Sequence, residues 1–306
     1  MSFLDSPDPA ILECATPSIE TVIEARPAQL ELDGPVVGRV LPSARRRMVG
    51  PFIFFDRMGP AMFGPGRGID VRPHPHIGLS TVTYLFEGEI VHRDTLGYTQ
   101  PIRPGEINWM TAGRGIAHSE RTPPELRAGG SRLHGIQLWV ALPESEEERE
   151  PSFDHYDADV IPQFPVEGAS VRLIAGSGWG RTSPVRTFSP LVYAELRVAE
   201  GGAVPLPEAV PELGLFIVEG AVTCGEERFE QNRLLVFKPD ATPRLHAASD
   251  SHLMLLGGAP LGKRHIWWNF VSSSKERIEQ AKRDWKQGKF GKVPGDEVEY
   301  VPLPER

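Results

Sequence analysis

Two imidazoles stand two residues apart in Pro73-His74-Pro75-His76-Ile77-Gly78. An imidazole and a carboxylate repeat that spacing 42 residues later, in His118-Ser119-Glu120. Side chains at i and i+2 of a β-strand point to the same face. Each pair can therefore converge on one ion, and two facing strands would supply three nitrogens and one oxygen. The set lacks the thiolates typical of structural zinc sites. Nitrogen and carboxylate ligands with open positions suit iron(II) chemistry with O2, by analogy with the two-His-one-carboxylate triad. An octahedral ion with four protein ligands keeps two adjacent positions, one for substrate and one for O2 or water. Glu120 could serve as ligand, as general base, or as both in turn. A lone His-x-His on a strand is more often a hydrogen-bonded pair. The joint occurrence, beside glycine-rich turns at Gly68 and Gly113-Arg114-Gly115, is what points to a metal.

Short strands must position these residues. Segments 19–25, 36–41, 51–55, 79–86, 89–92, 106–111 and 135–142 are apolar or β-branched and bounded by turn residues. Residues 58–70 (MGPAMFGPGRGID) read as a long loop. Residues 142–151 (LPESEEEREP) read as a solvated linker or a short helical turn. A second series of strands is expected at 171–175, 191–198, 215–218, 221–223, 233–237 and 251–256. YLFEGEI at 84–90 is echoed by FIVEGAV at 216–222, an offset of 132, as two copies of one β unit would be. Near the end, Ser273 with Glu276 predicts a capped helix start. Ile278, Ala281 and Trp285 give that helix an apolar stripe, and it should end near Gly288. A final strand is expected at 297–302.

Gly and Pro make up about a fifth of the 306 residues, which fits many short strands joined by tight turns. The formal net charge of −8 lacks the field that draws a protein to nucleic acid or anionic membrane, so neither is expected as a partner. Arg45, Arg46 and Arg47 read as a solvated loop or strand edge. Cys14 and Cys224 make no disulfide framework, which points to a reducing, intracellular setting. The first residues show no basic region followed by an apolar one, and no run of 18 apolar residues occurs. His92-Arg93-Asp94 lacks the asparagine five residues on and the DFG that a kinase needs, so it reads as a strand end and turn. Neither GxSxG nor a Walker GK[ST] is present. Trp109 and Met110 read as core, and His134 as a core or supporting group rather than a fifth ligand. Phe52, Phe54 and Phe55 divide between core and pocket mouth, with at least one in the core.

Gly68, His74-Pro75-His76 and Gly88 fit the first cupin motif, G(X)5HXH(X)3,4E(X)6G, except that Ser80 and Thr81 occupy the glutamate positions. Gly115 and His118 keep part of the second motif, with Thr122 at its asparagine position. These departures, with Glu120, resemble one cupin branch, the pirins. HPHIGLSTVTYLFEGEIVHRDTLG, PGEINWMTAGRGIAHSE, LHGIQLWVALP and RHIWWNFVSSS all look like pirin. The resemblance is dense over 50–142 and returns at 264–274.

The resemblance implies an all-β bicupin: two packed antiparallel β-barrels of jelly-roll type with a C-terminal helix, the first residues adding strands to the second barrel. The implied layout is a lead-in (1–17), an N-terminal metal-binding cupin (18–143), a linker (144–160), a degenerate C-terminal cupin (161–262) and a Trp-rich segment with helix and final strand (263–306). The family's four ligands map onto His74, His76, His118 and Glu120. They imply nonhaem Fe2+, although Mn, Co, Ni, Cu or Zn can occupy such sites. The implied activity is quercetin 2,3-dioxygenation, with a flavonol and O2 as substrates, CO as a product and Glu120 assisting deprotonation. The alternative is a metal- and redox-dependent regulator that binds a protein partner, a transcription cofactor or a modulator of metabolic enzymes. A monomer in the cytoplasm is expected, or in the nucleus for a eukaryotic host. The 132 offset places Leu206 and Glu208 at the His-x-His positions of the second half, and Asp250 and His252 near those of His118 and Glu120. That half is expected to hold no metal, with His246 and His252 as ordinary loop or strand histidines.

Overall fold

The computed structural model describes residues 8–29 and 36–305, so the first seven residues of the expected lead-in lie outside the described residues. The first half is built on a seven-stranded antiparallel sheet. Its spatial order is Ser152–Tyr156, Ile107–Thr111, Leu79–Glu87, Ser131–Ala141, Phe52–Phe63, Val36–Leu41, Arg26–Gln29. A four-stranded sheet covers one face, in the order Asp70–His76, Ile116–Arg121, Ile90–Asp94, Thr99–Ile102. The second half repeats the plan. A nine-stranded sheet centred on Glu212–Glu219 and Ser251–Gly258 is backed by the three strands Glu227–Glu230, Ala221–Cys224 and Leu245–Ala247. Ala10–Leu12 and Ile19–Glu24 cross over to extend this second large sheet.

The halves are jelly-roll sandwiches and not closed barrels, because among the described residues no hydrogen-bonded ladder joins the large sheet of either half to its small one. The chain passes between layers at sharp corners. At Gly78, between Asp70–His76 and Leu79–Glu87, φ is +67° and a Cβ would lie 2.0 Å from the Val271 carbonyl oxygen, so only glycine fits. The sequence echo is real in three dimensions. Leu79–Glu87 lies between Ile107–Thr111 and Ser131–Ala141, as Glu212–Glu219 lies between Arg233–Phe237 and Ser251–Gly258.

The two large sheets pack face to face and form the central core. Val82, Tyr84, Ile136 and Leu138 from one meet Tyr193, Phe216, Val218 and Met254 from the other. The Phe55 and Phe216 rings lie 4.7 Å apart. Each such fully buried side chain contributes about 1.5–3 kcal/mol. Because the strand period is two, the opposite face of Leu79–Glu87 turns into the first sandwich, carrying Leu79, Thr81, Thr83 and Leu85. Inside the second sandwich the corresponding space is filled by aliphatic side chains, among them Leu173, Leu215, Ile217, Leu253 and Leu255.

Several local expectations change. The first half of the loop expected at 58–70 is strand, because Phe52–Phe63 resumes pairing with Ser131–Ala141 beyond a bulge at Gly59-Pro60. The run 142–151 is partly buried. It forms a short 3-10 turn at Glu144–Glu146, and then Glu147 is buried on an ion pair with Arg264 at 3.0 Å. The cap of the helix Lys275–Lys286 is Ser274 and not Ser273: the Ser274 Oγ accepts from the Arg277 N–H at 3.2 Å. Ser273 is already committed, with its N–H and hydroxyl both donating to Glu147 at 2.9 Å. Residues 297–302 form no strand. They run beside the edge strand Asp70–His76, whose Pro73 and Pro75 have no N–H to donate, and a single bond remains, from the Val301 N–H to the Pro73 carbonyl at 2.9 Å. Arg46 is not merely solvated, since it pairs with Glu212 at 2.9 Å and Glu20 at 3.2 Å. Among the described residues no helix is long and apolar enough to cross a membrane.

Candidate metal centre

His74 and His76 stand on the edge strand Asp70–His76, and His118 lies on its neighbour directly opposite His74. The three rings are 4.4, 4.9 and 5.0 Å apart, each residue at most 1% exposed. Each offers a nitrogen within 4.8 Å of the others, so the group could hold a metal ion. Burial pushes all three imidazoles well below their usual pKa, with neighbouring imidazoles adding to the shift at His74 and His118. They are therefore neutral, the form that ligates.

Backbone carbonyls orient two of them, one from the same strand and one from the far end of the chain. The His74 Nδ1 donates to the Arg72 carbonyl at 2.8 Å, and the His76 Nδ1 to the Asn269 carbonyl at 3.1 Å. A carbonyl only accepts, so both rings carry their proton on Nδ1. Asn269 sits in the turn between His265–Trp267 and Phe270–Ser272, a hairpin of the Trp-rich segment. The Nε2 atoms of His76 and His118 are buried without a protein partner. An orphaned buried nitrogen costs about 1–3 kcal/mol. Two of them aimed at one point fit a bound cation.

Glu120 is also buried, but it stands apart from this group. A register shift between His118 and Glu120 sets Glu120 opposite Val71. Its Oε1 accepts from the Thr83 hydroxyl at 3.1 Å, and the Gln137 amide lies 2.8 Å from the same hydroxyl. A hydroxyl has one proton to give. It serves either Glu120 or the Gln137 Oε1; turning the Gln137 amide over, so that its NH2 donates to Thr83, would let Thr83 donate to Glu120 and satisfy all three groups. The structure thus gathers the three histidines and leaves the carboxylate beside them.

An aromatic wall closes one side. Trp139 meets the His76 ring edge-on at 5.3 Å and stacks on Phe54 at 4.1 Å. The Arg39 guanidinium caps Phe54 at 4.5 Å and grips Asp56 through two 2.8 Å bonds. Of the three phenylalanines considered, Phe54 faces this interior, while Phe52 and Phe55 belong to the central core with Trp109. His134 is on the interface between the halves. Burial and the nearby Arg57 lower its pKa to about 4, and its Nε2 accepts from Arg57 at 3.3 Å.

His92-Arg93-Asp94 carries more than a strand end. The His92 Nδ1 is 3.3 Å from the His118 Nδ1, and its Nε2 is 2.8 Å from the Asp94 carboxylate. Both residues are buried. The spacing rule applied to His74 and His76 holds for this pair too, and would have flagged it.

In the second half a lone antiparallel bridge joins Ala203 to His246, as His74 pairs with His118 in the first. Ala203 and Pro205 therefore stand where the His-x-His pair stands, not Leu206 and Glu208. The constant offset fails because the connection from Gly220 to His246 is four residues shorter than that from Gly88 to His118. His246 is exposed, and His252 is a buried partner of Glu195 at 2.9 Å.

The family model described as Pirin matches residues 35–140, and that described as Pirin C-terminal cupin domain matches 193–291. A pirin-like protein of Caulobacter vibrioides is 49% identical over 290 residues, 94% of this chain and the whole of that one. The crystal structure of a quercetin 2,3-dioxygenase from Acinetobacter baumannii has a TM-score of 0.85 at 31% identity, covering 94% of this chain and 97% of that one. A bacterial pirin from Escherichia coli, crystallised in complex with nickel(II), shares the fold with a TM-score of 0.60 at 21% identity, covering 77% of this chain and 96% of that one. Both halves of the chain are accounted for by these matches, and the chain belongs to the pirin family.

Proposed function

We propose that His74, His76 and His118 hold a divalent transition metal, iron(II) by preference, and that the protein opens the heterocyclic ring of a flavonol with O2, releasing CO. The observation that carries this reading is the convergence of three neutral, buried imidazoles, two of them with unpartnered Nε2 atoms, beside a buried carboxylate. The Acinetobacter baumannii quercetin 2,3-dioxygenase, similar along nearly the whole chain, supports the substrate class, and nickel in the Escherichia coli pirin supports a metal in this fold. When bound, the ion supplies Lewis-acid stabilisation of the substrate's enolate.

The chain's own residues supply the rest. Glu120 takes the proton of the flavonol 3-hydroxyl, acting as a fourth ligand or as a base at the rim of the triad. The Gln137-Thr83-Glu120 chain holds that carboxylate in place. Trp139 and Phe54 offer a flat apolar wall on which a planar aromatic substrate can lie with water excluded. We place this work in the cytoplasm and in a monomer, with Cys14 and Cys224 free thiols.

The test is O2 uptake by anaerobically iron(II)-loaded protein mixed with quercetin, with CO detected alongside and His118→Ala as control. Uptake with CO release, lost in the variant, is expected. No uptake with iron bound would overturn the dioxygenase reading and leave a metal-dependent binding protein, for which partner capture is the next experiment.

A further inference from the structure

We infer that His92 and Asp94 are positioning residues that lock His118 into the Nδ1–H tautomer and so present its Nε2 lone pair to the metal. The inference rests on the reading of the histidine triad as a metal site and names what fixes its third ligand.

The donors can be assigned one after another. Asp94 is fully buried and has three contacts. Its Oδ1 receives the N–H groups of Leu96 at 2.9 Å and Tyr98 at 3.2 Å, and its Oδ2 faces the His92 Nε2 at 2.8 Å. The backbone donors occupy Oδ1, and a carboxylate has only acceptors to offer, so the His92 Nε2 facing Oδ2 carries a proton. A neutral His92 then has a lone pair on Nδ1. That lone pair faces the His118 Nδ1 at 3.3 Å, so the His118 Nδ1 must bear the proton between them. The remaining nitrogen of His118, Nε2, is left bare where it is buried without a partner. The alternatives fail on the same geometry. With the proton on the His118 Nε2, two lone pairs would face each other and an N–H would point into the triad with no acceptor. With His92 protonated on both nitrogens, the His118 N–H would again be forced into the triad.

His118 differs in this from its companions. Backbone carbonyls orient His74 and His76, and no side-chain substitution alters a carbonyl's role. The partner of His118 is a side chain, and a second side chain sets that partner's tautomer. Phe153 stacks on His92 at 4.4 Å and 17°, which holds the plane of the relay ring. Phe153 comes from Ser152–Tyr156, the edge strand paired with Ile107–Thr111, so the far edge of the large sheet helps to aim a ligand on the small one. Such outer partners of metal-bound histidines commonly change affinity by about 10–100-fold when replaced.

The test uses the full chain with 15N-labelled histidine. Long-range proton–nitrogen spectra read each tautomer in metal-free protein, and competition with a chelator gives the zinc affinity. In the wild type, His118 should carry its proton on Nδ1 and His92 on Nε2 before any metal is added. Asp94→Asn offers an NH2 to the His92 Nε2. It should move the His92 proton to Nδ1, move that of His118 to Nε2, and weaken zinc binding about 10–100-fold. His92→Gln, whose carbonyl can accept from His118, should lose far less affinity than His92→Leu, although both remove the ring. A wild-type His118 protonated on Nε2, or an Asp94→Asn protein with unchanged tautomers and affinity, would overturn the inference. Equal losses in the two His92 variants would reduce the residue to packing and overturn it too. Should the wild type bind no zinc, the metal reading itself fails, while the tautomers of the metal-free protein still decide whether the dyad sets His118.

Discussion

His74 and His118 face each other across one antiparallel ladder with their rings 4.4 Å apart, while Glu120, two residues beyond His118, faces Val71 across an extra residue in the opposite strand. The strand pair therefore delivers nitrogens to the centre and a carboxylate to its rim. This division of labour shapes what each substitution should do.

His76→Ala should lose most of the bound metal while the chain stays folded. The variant leaves the Asn269 carbonyl without its donor, which costs about 1–3 kcal/mol. A domain stability of about 5–15 kcal/mol absorbs that loss. Metal content by elemental analysis, together with a thermal melt, checks both halves of the statement. Undiminished metal, or a chain that no longer folds, would contradict it.

Thr83→Val keeps the shape of the side chain and removes the hydroxyl that Glu120 accepts from. The triad is untouched, so metal content should not change. Turnover of a flavonol should fall about 10–100-fold, because the carboxylate loses its orientation. Thr83→Ser restores the hydroxyl and should recover most of the rate. Equal rates in the valine and serine variants would remove Thr83 from the account.

Much of this centre was legible before the fold, and what escaped has physical reasons. His74, His76 and His118 could be read from strand periodicity, because i and i+2 share a face whatever else the chain does. The echo of 84–90 at 216–222 could be read because it marks the equivalent interior strand of each large sheet. Asn269 could not: its contribution is a backbone carbonyl, which any residue supplies, delivered from 193 residues away. Glu147 looked like one acid among several in a charged run, and Arg264, Ser272 and Ser273, far along the chain, make it a buried anchor. The extra residue in Asp70–His76 that sets Val71 opposite Glu120 is a matter of pairing register, which a single strand does not record. His92 and Asp94 obey the same i, i+2 spacing as His74 and His76, so their shared face is legible in the sequence, while their contact with His118 depends on strand pairing.

Metal-free protein should lose stability as pH falls from about 6.5 toward 4. His74, His76 and His118 are held well below the usual imidazole pKa by burial, and His134, for burial and its neighbour Arg57, at about 4. In the unfolded chain each titrates near about 6.5. Below that pH the unfolded state takes up protons the folded state refuses, so the unfolding free energy drops by about 1.4 kcal/mol per pH unit for each such histidine. Glu195 acts in a lower window. Burial would raise its pKa, but His252 and Tyr84 hold it at about 2, so its contribution is lost only as pH falls through the acid range toward 2. Urea denaturation at pH 7, 6 and 5 isolates the histidines. His134→Gln should flatten the slope by one histidine's share, and a wild-type stability independent of pH across this range would refute the assignment.

Arg121 ends the strand bearing His118. Its guanidinium takes Asp296 through two bonds of 2.6 and 2.9 Å, Glu299 at 2.7 Å and Asp70 at 3.2 Å. The bonds to Asp296 and Glu299 hold the segment after the C-terminal helix across the outer face of the two metal-bearing strands. Val301 reinforces it, donating to the Pro73 carbonyl and accepting from the Trp285 indole at 3.1 Å. The prolines at 73 and 75 deny this edge a continuous ladder, so the side-chain ties must carry the attachment. Arg121→Gln removes the cation and leaves three carboxylates close together. It should cost about 1–3 kcal/mol. Amide exchange should accelerate in Asp70–His76 and Ile116–Arg121 and stay unchanged in the second sandwich. High salt should reproduce part of that acceleration in the wild type, because these pairs are partly exposed and screening weakens them. Exchange that rises uniformly over both halves would mean that Arg121 supports the whole fold, and that the segment does not brace the metal-bearing edge.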